Sequence, residues 1–402
     1  MRGSLRGLGF LRAHYLAERN HCLLLQDKEN RGLKLNLDDR VSLYNEVSLT
    51  AKTSVSALMI VSVGILAHNE AHSICNLIRD LARQNLLSND RLSTEIHIVA
   101  NGCTDATIGV ATEALTDSRF QQVSITTFCH SISRPGKSNA WNEFIHNLAS
   151  PKTDFVIVLD ADIRIPEETT LQRVVDCLID TDTAVIAIDE SVTDLSLTVN
   201  KTMMERLILA ATGTAHDSRT AVAGGLYCAR FGVLRGIWMP IGLPVEDGFL
   251  RAMILTSSFT EKENYARLVF VDGARHIFES YRHIRDIIHH NVRIAIGTEI
   301  NRLLYDHFRD QLNNKDIGNY IRNRNAADPN WINSLIAAEI GKRKYFLVHK
   351  GFVLRRLRRL KKLSTSQQVR TAPIVFLGTA FDLAIFLIAN HLLRKGAGAG
   401  FW

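Results

Sequence analysis

The chain has 402 residues, 46% of them hydrophobic and 22% charged, the profile of a folded globular protein with a sizeable core and not of a disordered one. That length suits one large α/β domain with an appendage, or two ordinary domains. The formal net charge is +7 and is unevenly spread: ten Lys and Arg fall between Lys342 and Lys362 with no acid among them, an excess that suits anionic lipid heads or other polyanions. No nucleic-acid partner is expected. Cys22, Cys75, Cys103, Cys129, Cys177 and Cys228 form no CxxC pair, which favours a reduced, cytoplasmic chain with buried free thiols over a disulfide framework or a zinc site. Arg2, Arg6 and Arg12 mark a basic start, but the apolar residues there are interrupted and no small-residue cleavage site follows, so no secretory signal is expected.

Residues 1–57 have mixed polarity and no strong period, and read as an N-terminal extension. From Met59 the pattern becomes regular. Apolar runs suited to buried strands fall at 59–67, 95–100, 122–128, 154–160, 183–188 and 221–229. Helical-looking stretches near 71–84, 105–116, 137–148, 167–179 and 197–212 separate them. Short β-branched runs alternating with helices predict a doubly wound, mainly parallel sheet flanked by helices over 58–275. Beyond about 275 no strand is expected, and 277–310, 330–363 and 372–393 read as helices of a C-terminal extension, 276–402.

In a doubly wound sheet the ligand sits outside the carboxyl ends of the strands, so polar motifs at those ends carry weight. The first strand ends in Ala67-His-Asn-Glu70 and the second in Asn101-Gly-Cys-Thr-Asp105, where Thr104 or Asp105 can cap the next helix. In Arg134-Pro-Gly-Lys-Ser-Asn139, Gly136 permits close backbone approach and Lys137 brings a cation to a helix N-terminus, an anion site. The run Phe155-Val-Ile-Val-Leu159 delivers Asp160 and Asp162 to its mouth. Residues two apart in a strand point the same way, so both carboxylates can converge on a divalent cation, Mn2+ or Mg2+, whose oxygen shell nucleotide phosphates complete. A bare pair of this kind is more often a solvated loop, and only its recurrence with the other strand-end motifs raises it.

Taken in order, HisAsnGlu, AsnGlyCysThrAspAlaThr, GlyLysSerAsnAla, AspAlaAsp, GlyGly and GluAsp resemble the family 2 glycosyltransferases of the GT-A fold, over roughly 58–275. The resemblance implies a nucleoside-diphosphate sugar donor, a divalent metal and inversion by direct displacement. It implies that Ala67, Asn69 and Glu70 border the base and ribose, and that Asn101, often aspartate in the family, contacts the base. Asp105 belongs to the same nucleotide-side cluster. Lys137 and Asn139 then lie near the diphosphate, Asp160 faces ribose or metal, and Asp162 binds the metal. Gly224 and Gly225 form the acceptor-side floor. The pair Glu246-Asp247 supplies the catalytic carboxylates, with Asp247 as general base toward the acceptor hydroxyl. Where processive members carry Gln-x-x-Arg-Trp, this chain has His290-Asn-Val-Arg-Ile294; Arg293 keeps the cation while the Gln and Trp are absent, which points to transfer of a single sugar. His289 and His290 read as helix-surface residues. A sugar-nucleotide pyrophosphorylase would need a Gly-rich basic loop where Ala67-His-Asn-Glu70 stands; a catalytically silent sugar-nucleotide-binding or membrane-docked scaffold is the other alternative.

Residues 372–393 are long and apolar enough to span a bilayer, but Asp382 at their middle costs about 2.5–3.5 kcal/mol there. Just upstream, Leu354, Leu357 and Leu360 are spaced three apart among Arg and Lys, as in an amphipathic helix on an anionic surface. A span, a surface helix and a buried helix docked on the catalytic domain are the alternatives for 372–393; peripheral association with the cytoplasmic face of a membrane is the expectation, and with it a lipid-linked or otherwise amphiphilic acceptor.

Overall fold

The computed structural model describes residues 58–202, 205, 206, 209, 219–311, 316–342 and 346–396. The N-terminal extension and Cys22 lie outside these residues, as does most of the helix expected at 197–212. The described residues from Ile60 onward form one compact unit.

Seven strands make one sheet: β1 (Met59–Ala67), β2 (Leu92–Asn101), β3 (Ile125–Ile132), β4 (Phe155–Asp160), β5 (Ile186–Thr193), β6 (Leu226–Arg230) and β7 (Leu268–Phe278), in the order β3-β2-β1-β4-β6-β5-β7. β1 runs parallel to β4, β2 to β3 and β5 to β7, while β6 is antiparallel to both β4 and β5. β1 and β4 read as near-continuous apolar runs because helices cover both faces of the sheet centre, and Val61, Val63, Ile65, Val156, Ile157 and Leu159 have no exposed surface. Gly64 leaves open the space that the Phe144 ring fills.

The helices bracket those strands: α1 (Ile74–Leu81), α2 (Thr107–Ala114), α3 (Lys137–Glu143), α4 (Thr170–Asp180) and α5 (Glu246–Leu255). This is the mainly parallel, helix-flanked sheet expected. One strand was not: β7 joins β5 through a register shift between Ile188 and Glu190 and carries the sheet to Phe278. The C-terminal region is helical, with α6 (Ile284–Gln311), α7 (Ile317–Ala327), α8 (Trp331–Lys342), α9 (Gly351–Leu360) and α10 (Thr365–Arg394). The single helix expected over 330–363 is two, α8 and α9. Between them the Leu347 and Val348 amides donate to Asn390 Oδ1 at 2.7 and 3.0 Å, and the His349 amide donates to Glu299 Oε2 at 3.2 Å.

Two cations expected on the surface of α9 turn inward. Asp382, fully buried in α10, accepts Arg355 Nε and Nη2 at 3.0 Å each, and Arg356 Nε and Nη2 at 2.9 and 3.3 Å. A buried carboxylate needs such partners, because its desolvation otherwise costs several kcal/mol. Gly378, one turn earlier, leaves room for the Arg356 side chain, which a Cβ would meet at 2.9 Å. Of the described cysteines only Cys228 is buried and Cys129 is exposed, so the thiols are free but mostly not in the core.

Asp382→Asn strands two guanidinium groups, and a loss of about 3–5 kcal/mol in urea unfolding is expected. The triple change Arg355→Met, Arg356→Met and Asp382→Leu should recover most of it, since it removes charge and partner together.

Candidate active site

The strand ends are tied to one another by side chains. Asn101, at the end of β2, donates Nδ2 to the Ala67 carbonyl at 2.7 Å and accepts the Gly136 amide on Oδ1 at 3.0 Å, so one amide links the mouths of β1 and β2 to the turn before α3. Ala67 and Asn101 are therefore buried. Asn69 takes φ +58°, a left-handed conformation that Asn tolerates better than most residues, and its Oδ1 accepts the Thr104 amide at 2.8 Å. Asp105 accepts the Ala71 amide at 3.1 Å and the Thr107 amide at 3.0 Å, and also holds the Thr107 hydroxyl; these bonds, the hydroxyl's first, keep its pKa below the usual carboxylate value. The Glu70 amide donates to Thr107 Oγ1 at 2.8 Å. Asn139 donates to the Arg134 carbonyl at 3.2 Å and closes the turn that presents Lys137.

Lys137 is the hub. Its Nζ lies 2.6 Å from Asp160 Oδ1, 2.7 Å from Asp160 Oδ2, 3.1 Å from Glu246 Oε1 and 3.3 Å from the Gly224 carbonyl. Burial pulls the ammonium's pKa down, but Asp160 and Glu246 outweigh it and hold the net shift upward. Gly224 is glycine for a steric reason: a Cβ would stand 2.8 Å from Lys137 Nζ and 3.3 Å from Glu246 Oε1. Lys137, Gly224, Glu246 and Asp247 line one narrow cavity with Trp141 and Tyr227, whose side chains hydrogen-bond each other at 2.6 Å.

The second carboxylate of the Asp160–Asp162 pair stands differently. β4 ends at Asp160 and Asp162 lies in the following turn, so strand alternation does not orient it. Asp162 is exposed, and no side chain among the described residues hydrogen-bonds it. Burial of its surroundings and then Glu70 raise its pKa, against Lys137 and His276. Asp160 is raised to about 6, by burial first and also by Asp162 and Glu246, despite Lys137. Among the described residues no three His, Cys, Asp or Glu side chains are gathered closely enough to define an ion site on their own.

Asp247 opens α5 beside Glu246 and its Oδ1 accepts the Gly248 amide at 2.7 Å. Its pKa is pushed up to about 6 by burial and then by Glu246; Lys137, the Gly248 amide and Arg293 oppose that rise. Arg293 thus belongs to the same electrostatic cluster although it lies on α6. That helix also sets the start of α5, since Asn301 Nδ2 donates to the Val245 carbonyl at 2.8 Å and the Tyr305 hydroxyl to the Gly248 carbonyl at 3.0 Å. On the other side Asn142 of α3 exchanges two bonds with the Met239 backbone, at 2.8 and 2.9 Å, pinning the segment that leads to Glu246. His290 faces the Tyr281 ring, with ring centroids 4.7 Å apart.

One group escaped the sequence reading. His276 on β7 is buried, with Nδ1 2.8 and 3.0 Å from the Asp189 carboxylate oxygens and Nε2 3.2 Å from Ser191 Oγ. Gly225 leaves space for the ring, which a Cβ would meet at 2.5 Å. The alternation Val269, Val271, Gly273 and Arg275 against Phe270, Asp272, Ala274 and His276 is too polar to mark a buried strand.

Residues 62–225 match the family described as "Glycosyl transferase family 2". This part of the chain is a family 2 glycosyltransferase domain, and the protein is a glycosyltransferase. No curated protein matches the chain. Among similar solved structures is the mannosyltransferase PcManGT from Pyrobaculum calidifontis in complex with GDP-Man and Mn2+, at 16% identity over 83% of this chain and 86% of that one, with TM-score 0.48. Another is S. aureus TarS 1-349 in complex with UDP, at 16% identity over 84% and 92%, with TM-score 0.41. A third is glucosyl-3-phosphoglycerate synthase from Mycobacterium tuberculosis with Mg2+ and uridine-diphosphate, at 16% identity over 61% and 79%, with TM-score 0.40.

Asp160 and Asp247, both near 6 when folded and near 4 when unfolded, hold protons in the native state that the unfolded chain releases. Their contribution to stability is therefore full below about pH 4 and is lost as pH rises through about 6. At pH 7.5, Asp247→Asn should raise the Tm by about 2–4 °C in a calorimetric scan. Gly224→Ala should lower kcat/KM about tenfold or more through displacement of Lys137, with a smaller loss of Tm than Gly225→Ala, whose Cβ meets a ring held on both sides.

Proposed function

We propose that this glycosyltransferase moves one sugar from a nucleoside-diphosphate sugar to an acceptor hydroxyl with inversion, by direct displacement, and that Asp247 is the general base. The observation that supports this reading is the single electrostatic cluster of Lys137, Asp160, Glu246 and Asp247 at the mouths of the strands. A carboxylate raised to about 6 is ionised at neutral pH yet basic enough to accept a proton in the transition state. In the proposed step Asp247 takes the acceptor proton, the acceptor oxygen bonds to the anomeric carbon on the face opposite the leaving group, and the bond from that carbon to the diphosphate oxygen breaks with its electron pair. Glu246 and Arg293 tune Asp247, and the Lys137 charge favours the departing diphosphate.

Mn2+ or Mg2+ fits the donor set in one respect: Asp162 is an exposed carboxylate that no described side chain engages, the hard oxygen ligand such ions prefer. Asp162 would hold the ion with phosphate oxygens completing its shell, and Asp160, clamped by Lys137, would border it and the ribose. When bound, the ion supplies Lewis-acid stabilisation of the diphosphate. The Asn69–Thr104 and Glu70–Thr107 bonds give the base and ribose a rigid border. Asn101 and Asp105 would act in that border by holding its backbone, while Asn139 holds the turn of Lys137. Gly224 and Gly225 would form the acceptor-side floor, their missing side chains making room for Lys137, Glu246 and the His276 ring beneath it. Peripheral association with a cytoplasmic membrane face, and a lipid-linked acceptor, complete the reading.

A panel of nucleoside-diphosphate sugars, scored by release of nucleoside diphosphate and mass of the product, tests it with and without Mn2+. Asp247→Ala should lower kcat roughly 10²–10⁴-fold and Asp162→Ala should raise the metal concentration needed for half-maximal rate. The wild-type rate should fall about tenfold per pH unit below about 6. Turnover unchanged by both substitutions would refute the mechanism.

A further inference from the structure

The helix α10 divides into two faces. Facing the protein are Asp382, held by Arg355 and Arg356, and Asn390, whose Oδ1 accepts two backbone amides. Facing out are Phe376, Leu377, Ala380, Leu383, Leu387 and Ile388, spaced three and four apart so that they form one stripe. The large members are strongly exposed: Phe376 by 62%, Leu377 by 57%, Leu383 by 47% and Leu387 by 52%. From Phe376 to Ile388 the stripe is about 18 Å long at 1.5 Å per residue. Its ends are cationic. Exposed Arg370 precedes it on the same face, exposed Lys395 follows, and exposed Arg358, Lys361 and Lys362 stand at the end of α9. From Lys350 to Lys395 the one acid is Asp382, and it is buried.

We propose that α10 docks lengthwise on an anionic lipid bilayer, with the Phe376–Ile388 stripe sunk into the headgroup–acyl boundary and the flanking cations on lipid phosphates. This deepens the membrane part of the proposed function and is independent of the assignment of Asp247. Three features select this occupant. The apolar stripe is shorter than the ~30 Å hydrocarbon core. The opposite face is bound to charged arms of α9, which a spanning helix would have to drag into lipid. In a two-fold antiparallel pairing of two copies along this stripe, the cationic ends would meet each other, a like-charge penalty that anionic lipid turns into attraction. Among the described residues, helix α10 alone is long and apolar enough to cross a membrane by length and composition; the clamp on Asp382 assigns it to the surface instead.

Flotation of the full chain with phosphatidylglycerol/phosphatidylcholine vesicles tests the docking. Strong binding is expected, weakened at least tenfold by 0.5 M salt or by pure phosphatidylcholine. Phe376→Asp with Leu387→Asp should lower the bound fraction at least tenfold while the Tm and circular dichroism stay unchanged. Wild-type protein that never floats refutes membrane association altogether. A double variant that floats as well as wild type leaves association standing and overturns the stripe. In Leu383→Trp protein, quenching should be strongest by lipids brominated near the headgroup; strongest quenching from the bilayer centre would mean a spanning helix. A dimer in light scattering without lipid that the double variant dissolves would make the stripe a self-association face and overturn the proposal.

Discussion

A single ammonium group organises the site. Lys137 Nζ gathers Asp160 from the end of β4, the Gly224 carbonyl from before β6 and Glu246 from the start of α5. With Asp247 this puts three carboxylates around one cation. Burial first, and then the neighbouring carboxylates, hold Asp160 and Asp247 near 6 against the pull of Lys137, while removal of the cation would leave uncompensated charge in a poorly solvated cleft. The surrounding structure holds these groups in place: Asn142 pins the approach to α5 from α3, and Asn301 and Tyr305 pin its first turn from α6. The C-terminal helices are thereby part of the site's scaffold and not an appendage to it.

The same accounting, with the signs reversed, governs the far end of the chain. Asp382 is one acid between two guanidinium groups, and it aligns α9 with α10 as Lys137 aligns β4 with α5. Because the one acid of α9 and α10 is turned inward, their outward surface carries apolar, cationic and uncharged polar groups and no acid. A local electrostatic requirement in the interior thus fixes the character of an exterior face.

The central strands were legible because they are buried on both sides. β1 falls on the expected residues and β4 starts one residue later than expected. The sheet edges were less so: β3 begins three residues after the start of the expected run, and β7 went unseen because Asp272, Gly273 and Arg275 interrupt its apolar character while its partner β5 is about 80 residues away. Helix α7, with Asn319, Arg322, Asn323, Arg324 and Asn325 among its residues, shows little amphipathic pattern and was also missed. At the strand ends the structure gathers the polar motifs into one region, but their local appearance did not separate groups held in the framework, such as Asn101 and Asp105, from exposed ones such as Asp162. His276 had no signal of its own, since its environment comes from β5 and from Gly225.

By itself the sequence determined the class of sheet, the family resemblance and the set of polar residues gathered at its carboxyl edge. These depend on periodicity and on residue type at strand ends, both local properties of the chain. Tertiary structure alone decided how the carboxylates divide their roles: Asp160 is clamped by Lys137 from 23 residues earlier, Asp162 stands open, and Asp247 is tuned by Glu246 and by Arg293 from another helix. It decided likewise that Arg355 and Arg356 face inward, because the carboxylate they satisfy is 26 and 27 residues downstream. Charge compensation in a low-dielectric interior depends on distances through space, and those distances exist only once the chain has folded.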